Sequence, residues 1–488
     1  MTESVPESPG TSSIARGAVR GTLWLTSANY AGFAVNILIN LLVMRILGRA
    51  EVGTYVLAFA VNEFVSILGA LTADVALIHF RNDEDGTLYD TAYMLAIALG
   101  LITVALSVVI SFFLALFPPF TPEVRQFIVL LALARPLSFL ASIQIASLEI
   151  EFRYRALSIA MLIATSMSNF ASLGLAWLGA GPISLVARDI GMAALTYVIY
   201  GLTVRRRCRW RWSARSAAKL LNYSKMWFLN RVLEIVLQRF DRLSIGSGVG
   251  KDELGSYHNG RYLAEMGYTF SQPISRLSFN VYSRVKNDLE RLNRAYRLVN
   301  FFLIRGSILI AVVLGFMARD LVIATYGPKW LPAVPTTRLL APYAAMLPIF
   351  SNLIIMLLAR GMMRESVLVR LVQVGVFVPG VLIATFLVGP AATAAALLLA
   401  CIAGIVLVAK YQKGVVEFAG RELFLAPLVS AGIASLAAMV VLTVVPGGGI
   451  LAAITRLVLV SGSYAVALVA IDRRALGEHY RYLRAMVT

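Results

Sequence analysis

Gly48–Tyr55 reads GRAEVGTY, and Gly250–Tyr257 reads GKDELGSY, nearly the same phrase repeated at an offset of 202 residues. Each copy stands between two long apolar runs, with glycines where a tight turn needs freedom in φ. The second copy restarts what the first began. Further correspondences follow the octets: Asn82 in RND has Asn287 in VKND at an offset of 205, and Pro136 has Pro348 at an offset of 212. Small loop insertions account for such a drift, so the chain is expected to be an internal duplication.

The runs around the octets set the class. The 488 residues are 59% hydrophobic and only 14% charged, with mean hydropathy +0.78, which excludes an ordinary soluble domain. About fourteen segments of roughly 20 residues can each cross some 30 Å of hydrocarbon. They fall near 22–47, 53–80, 88–117, 124–148, 157–180, 183–204, 226–249, 255–283, 299–326, 334–359, 366–388, 391–409, 423–445 and 450–471. An even number of helices per repeat keeps both copies in one orientation, related by an axis along the membrane normal. The expected fold is an all-α integral membrane protein with two parallel six-helix lobes around a central cleft, plus two C-terminal helices. Its parts are an N-terminal tail (1–20), an N-lobe (21–204), a basic linker (205–225), a C-lobe (226–410), helices thirteen and fourteen (411–471) and a tail (472–488). The opening MTESVPESPGTSS is polar and read as disordered, and the first apolar run is too long for a removable signal peptide. Cys208 and Cys401 are isolated thiols, giving neither a disulfide framework nor a cysteine metal site.

Positive charge sets the orientation. With the N-terminus in the cytoplasm, about 27 Lys and Arg fall on the cytoplasmic side against about 5 outside. RRRCRWRWSARSAAK from Arg205, RVKNDLERLNRAYR from Arg284, ARGMMRE from Ala359 and the tail DRRALGEHYRYLR from Asp472 are basic, whereas GAGP at 179–182, VGPA at 388–391 and PGGG at 446–449 are nearly neutral. Both termini are therefore placed in the cytoplasm. The net charge of +18 needs no nucleic acid, since basic flanks meet anionic lipid. Trp210 and Trp212, interleaved with Arg209 and Arg211, suit either an amphipathic surface segment or a topogenic loop without a ligand.

A charge facing lipid costs roughly 2.5 to 3.5 kcal/mol, so polar residues inside the spans mark their protein-facing sides. In the eighth span Arg261, Glu265, Thr269, Gln272, Arg276 and Asn280 stay within an arc of roughly 100°. Arg231, Glu234, Gln238, Asp241 and Arg242 do likewise in the seventh. Subtracting 202 carries Arg231, Gln238 and Arg242 onto Asn29, Asn36 and Asn40, and Glu265 and Arg276 onto Glu63 and Asp74. Two readings stand. These residues line a wet cleft, or Arg231 with Glu234 and Arg261 with Glu265 are structural ion pairs at i,i+3 and i,i+4 spacing. Arg45, Arg242, Arg261 and Asn280 lie near helix ends, where they can snorkel. The second lobe adds Arg239 to its arginines, an asymmetry that favours an anionic ligand and suits bidentate phosphate contact. Arg135 stands just before Pro136, which can bend its helix. The candidate substrate-binding residues are Arg231, Arg242, Arg276, Arg261, Gln238, Gln272, Asn29, Asn36 and Asn40. Glu63, Asp74, Glu265 and Glu234 are the candidates for ion coupling. No cofactor or metal is expected.

ARGAVRGTLWLTSANYAGFAVNILINLLVMRILGRAEVGTYVLA, LQRFDRLSIGSGVGKDELGSYHNGRYLAEM with the following QPISRLSFNVYSRVKND, and YGPKWLPAVP from Tyr326 resemble polysaccharide flippases of the Wzx type, WzxC-like, in the multidrug, oligosaccharidyl-lipid and polysaccharide exporter superfamily. The resemblance spans the first twelve helices and is specific at the two repeated hairpins. It implies twelve to fourteen helices in two lobes in the bacterial inner membrane. It also implies transport of an undecaprenyl-pyrophosphate-linked oligosaccharide from the inner to the outer leaflet, by alternating access with ion coupling. Membrane lipids, and the polymerase and chain-length proteins of polysaccharide assembly, are the candidate partners. Related exporters of the peptidoglycan precursor or of cationic drugs are the alternatives, although arginine exceeds acid in the second lobe. A membrane enzyme needs a general base or metal cluster at an interface, and His79, His258 and His479 lie in separate hairpins. A structural or assembly protein would pack its polar stripes dry.

Overall fold

The computed structural model describes residues 31–71, 74–80, 86–206, 208–413, 420–445 and 449–487, apart from the side chains of residues 226, 270, 273, 275, 276 and 478–487. Every regular element among them is a helix. The chain forms two compact units, Met1–Ile235 and Val236–Thr488.

The first unit holds α1 (Ala31–Ile46), α2 (Arg49–Val65), α3 (Asp74–His79), α4 (Thr87–Phe113), α5 (Pro122–Leu133), α6 (Arg135–Ile150), α7 (Tyr154–Trp177) and α8 (Ile183–Thr203). After it come α9 (Ala214–Gly248), within which the unit boundary falls, α10 (Lys251–Val285), α11 (Leu289–Tyr326), α12 (Val334–Leu339) and α13 (Ala341–Ala359). The chain closes with α14 (Met363–Ile383), α15 (Thr393–Gln412), α16 (Gly420–Val444) and α17 (Ile450–Val487).

Eleven helical stretches are long and apolar enough to cross a membrane, and α1 is a shorter apolar helix. The two remaining expected spans are α9 and α10, helices of 35 residues each whose charged residues keep them outside that apolar set. Each of the fourteen expected spans is thus represented by helix among the described residues, and the protein is a multi-pass all-α membrane protein.

Three spans are broken, each for a local reason. Between α2 and α3 a 3-10 turn covers Ser66–Leu71. The Ser66 hydroxyl donates back to the Asn62 carbonyl at 2.6 Å, a bond that bends helices, and the Phe139 ring stands where a Cβ at Gly69 would lie. The fourth span breaks between α5 and α6, with Pro136 as second residue of α6. The tenth breaks between α12 and α13, with Pro342 in the same place. Pro348 sits inside a continuous α13. The break aligns Pro136 with Pro342 at an offset of 206, replacing the pairing with Pro348. The offset then grows steadily along the chain, from 202 at the octets through 205 at Asn287 to 208 between Pro182 and Pro390. At the octets themselves, Gly250 has φ +153 and needs to be glycine, whereas Gly48 has φ −78 and does not. The Gly48 N–H instead donates to Glu51 Oε2 at 2.6 Å, closing the first turn of α2.

The first unit packs α4 and α3 on α6 around Leu77, Ala92, Phe139 and Ile143. The second packs α11 on α13 and on α16 and α17 around Phe301, Ile304, Leu353 and Val460. Two ion pairs fasten α17 there: Arg456 Nη1 donates to both Asp320 oxygens at 3.0 and 2.7 Å, and Arg305 bonds Asp472, where α17 departs from helical dihedrals. The final two helices, outside the duplication, are thereby integral to the second unit.

Candidate functional site

The second octet opens a buried charge network. Tyr257 lies one helical turn before Arg261, and Arg261 one turn before Glu265, so all three share a face of α10. Asp241, 0% exposed on α9, accepts hydrogen bonds from the Tyr257 hydroxyl and from Arg261. Arg261 Nε donates to Glu265 Oε1 at 2.7 Å, and Arg242 Nη2 lies 3.9 Å from Glu265 Oε2. Two carboxylates balance two guanidiniums, which makes their burial tolerable. Glu265 is the member that remains open, its side chain 29% exposed. Arg242 Nε is buried with no hydrogen-bond partner.

The first unit carries two separate clusters instead. At the octet, the Tyr55 hydroxyl donates to Asp189 Oδ2 at 2.6 Å, and Arg188 donates to Asp189 Oδ1 and to the Tyr55 oxygen, each at 3.1 Å. Two turns further along α2, Arg135 Nη2 donates to Glu63 Oε1 at 2.9 Å and its Nε to Asn62 Oδ1 at 2.6 Å. Arg135 is the first residue of α6, so the proline break delivers this guanidinium to the α2 acid.

The sequence-selected residues thus divide. Arg242, Arg261 and Glu265 come together in one network, and Arg231 pairs with Glu234 at 3.1 Å as the i,i+3 spacing foretold. Gln238 on α9 and Gln272 on α10 are half-buried, as are Asn36 and Asn40 on α1. Asp74 Oδ1 accepts the Val75 N–H at 2.8 Å and opens α3. Arg276 lies on α10 with its side chain outside the described residues, as does all of Asn29. Arg188, Asp189 and Asn62 escaped the sequence reading. The signal for the first two was a pair of charges inside an apolar span, which is costly without partners. Asp83–Glu84–Asp85 also forms an Asp-x-Asp triplet after the second span, and it lies outside the described residues. Among the described residues no three His, Cys, Asp or Glu side chains group as metal ligands.

Known proteins share this architecture. A lipid II flippase MurJ in an inward closed conformation is 14% identical, with TM-score 0.70 over 94% of this chain and 100% of that one. An inward-facing MATE family multidrug resistance transporter of the MOP superfamily is 12% identical, with TM-score 0.57 over 78% of this chain and 98% of its own. In sequence, an uncharacterized membrane protein in the cps region of Klebsiella pneumoniae is 24% identical, over 74% of this chain and 75% of that protein. The family model for polysaccharide biosynthesis proteins matches residues 42–335, both octets and every charge cluster around them included, and the chain belongs to that family.

Proposed function

We propose that the protein is a flippase that moves an undecaprenyl-pyrophosphate-linked oligosaccharide repeat unit from the inner to the outer leaflet of the bacterial inner membrane by alternating access. Membership of the polysaccharide biosynthesis family supports the substrate class, and likeness in fold to the flippase and exporter structures supports the transport reading. The observation that carries the proposal is the arginine content of α9 and α10, where the Arg231 side chain is partly exposed and the Arg242 Nε has no hydrogen-bond partner. A diphosphate needs at least two cationic forks to offset its lost water shell. Arg231, with its side chain 43% exposed, and Arg276 supply the loading contacts. Arg242, whose Nε lacks a partner, receives the head group further along α9, and Gln238, Gln272, Asn36 and Asn40 contact sugars. Glu63 and Glu265 exchange the coupling ion by releasing their arginines.

A strain lacking this gene tests the reading. It should accumulate the lipid-linked repeat unit and lose surface polymer, and the wild-type gene should restore both. An Arg231→Ala, Arg276→Ala double variant, inserted normally, should restore neither; full polymer export by that variant rejects the phosphate site. Both termini are proposed to be cytoplasmic. With Cys208 and Cys401 replaced by serine, Ala180→Cys should react with an impermeant thiol reagent on intact cells and Ser213→Cys should not.

A further inference from the structure

Among the described residues only two other than glycine adopt a left-handed backbone, Phe152 at φ 55 and Trp210 at φ 56. Both are large aromatics, for which this conformation is a genuine outlier. Both are also turned outward, 64% and 67% exposed. Phe152 ends α6: its N–H bonds the Glu149 carbonyl at 3.1 Å, and the Arg153 N–H bonds the Leu148 carbonyl at 2.9 Å. That is the helix-ending motif whose left-handed residue is usually glycine. Trp210 lies in the linker after α8. Its neighbour Arg209 donates its N–H to the buried carboxylate of Asp90 at 3.0 Å, and the edge of the Tyr93 ring meets the indole at 6.5 Å between centroids.

The two positions belong to one end of the first unit, because Arg153 Nη1 caps the α8 carbonyl of Thr203 at 2.5 Å just before the linker begins. Leu202, 84% exposed, brings the apolar surface of α8 to the same place. Around the aromatics stand Arg205, Arg209, Arg211 and Trp212, all exposed, and none of the three arginines forms an ion pair among the described residues. Strained backbone persists only where the surroundings impose it, and here each ring keeps one aromatic contact, Phe152 with Tyr154 and Trp210 with Tyr93, and leaves most of its surface exposed. Rings flanked by guanidiniums at the end of a membrane-facing helix match the boundary between acyl chains and headgroups.

We infer that Phe152, Trp210 and Trp212 are wedges set into the lipid interface, and that Arg205, Arg209 and Arg211 form a site for anionic phospholipid headgroups beside them. The site rests on the membrane-spanning fold and not on the transported substrate. A phospholipid surface is the occupant because it offers apolar chains and negative charge together, whereas an acidic protein would meet the arginines and leave the rings in water.

The full-length protein in phosphatidylcholine nanodiscs, with and without phosphatidylglycerol, provides the test. Phosphatidylglycerol should raise the melting temperature of the wild type, and native mass spectrometry should detect retained lipid. Replacing Arg205, Arg209 and Arg211 with glutamine should lower phosphatidylglycerol affinity about fivefold per arginine and leave the melting temperature in neutral detergent unchanged. Phe152→Gly and Trp210→Gly relieve the backbone, so both should melt higher than wild type in neutral detergent yet gain less from phosphatidylglycerol. Unchanged lipid retention in the triple glutamine variant overturns the inference, as an acidic protein partner or a purely topogenic loop would require. Lower melting of the glycine variants in detergent overturns the wedge assignment, since it would make the rings packing residues.

Discussion

Tyr55 and Tyr257, the last residues of the two octets, each hold an aspartate that is also held by an arginine, yet the two clusters take those charges from different helices. Asp241 and Arg261 serve Tyr257, and at an offset of 202 the first unit has Ile39 and Phe59 in their places. Arg188 and Asp189 serve Tyr55, and at an offset of 208 the second unit has Ala396 and Leu397. The charges changed helix while the chemistry at the tyrosine stayed. In the first unit the octet hairpin is bonded to α8 and, through Glu63, to α6. In the second, α9 and α10 satisfy one another, and Arg261 joins the tyrosine cluster to Glu265. The second hairpin thus keeps the charges of this cluster within itself, a suitable design for a helix pair that presents a partly exposed acid.

The comparison can be broken hardest at Arg261. Arg261→Phe leaves Asp241 fully buried without its cation and should destabilise the protein by about 3–5 kcal/mol, measured by thermal unfolding in detergent. Adding Asp241→Ile gives the second unit the residues of the first and removes the stranded charge, so most of that loss should return. A double variant no more stable than the single one would show that Asp241 is not held there by Arg261.

The equivalent acids Glu63 and Glu265 sharpen the comparison in function. Each is bonded to a guanidinium, Arg135 in one unit and Arg261 in the other. Under the proposed coupling, Glu63→Gln and Glu265→Gln should each slow repeat-unit transport about tenfold or more, the scale of one lost charge-assisted hydrogen bond. Transport by both variants at the wild-type rate removes these acids from the coupling role.

How much of this was readable beforehand follows from which interactions are local. The spans and the pairs Arg231–Glu234 and Arg261–Glu265 depend on spacing along one helix, and the duplication on a repeated phrase, so all are visible in the sequence. Arg135 was visible as an intramembrane charge, but its partners lie 72 and 73 residues away and no periodicity links them. Arg188 and Asp189 are the harder case. Their counterparts Ala396 and Leu397 are apolar, so the pattern of polar residues at matching positions does not include them. The Pro348 pairing erred because a proline within an apolar run does not tell whether the helix breaks there; Pro342, with α13 beginning one residue before it, does so in this fold.

The Tyr55 cluster should be less sensitive than its counterpart. Arg188 and Asp189 keep 18% and 24% of their side chains exposed, so whichever charge is left is less enclosed than the fully buried Asp241. Arg188→Ala or Asp189→Asn should cost about 1–2 kcal/mol by the same unfolding measurement, clearly less than Arg261→Phe. Equal losses in the two units would contradict the difference in burial.

The smallest effect lies in the octets' opening glycines, where the two copies look most alike. Gly250 has φ +153, a conformation that an L side chain rarely adopts, and a Cβ there would stand 2.7 Å from Glu253 Oε2. Gly48 has φ −78, and its Cβ would meet Glu51 Oε2 at 3.3 Å, the far end of a flexible side chain that can shift by a few tenths of an ångström. Gly250→Ala should therefore lower stability by about 1 kcal/mol or more, and Gly48→Ala by at most a few tenths. The alanine at Gly48 also reduces the freedom of the unfolded chain, which offsets part of what crowding Glu51 costs. Glu51 is the control: if Gly48→Ala is costly, Glu51→Ala should remove the added cost by clearing the side chain in the way. A large penalty at Gly48 that persists without Glu51 would mean that this turn, too, depends on the conformational freedom of glycine.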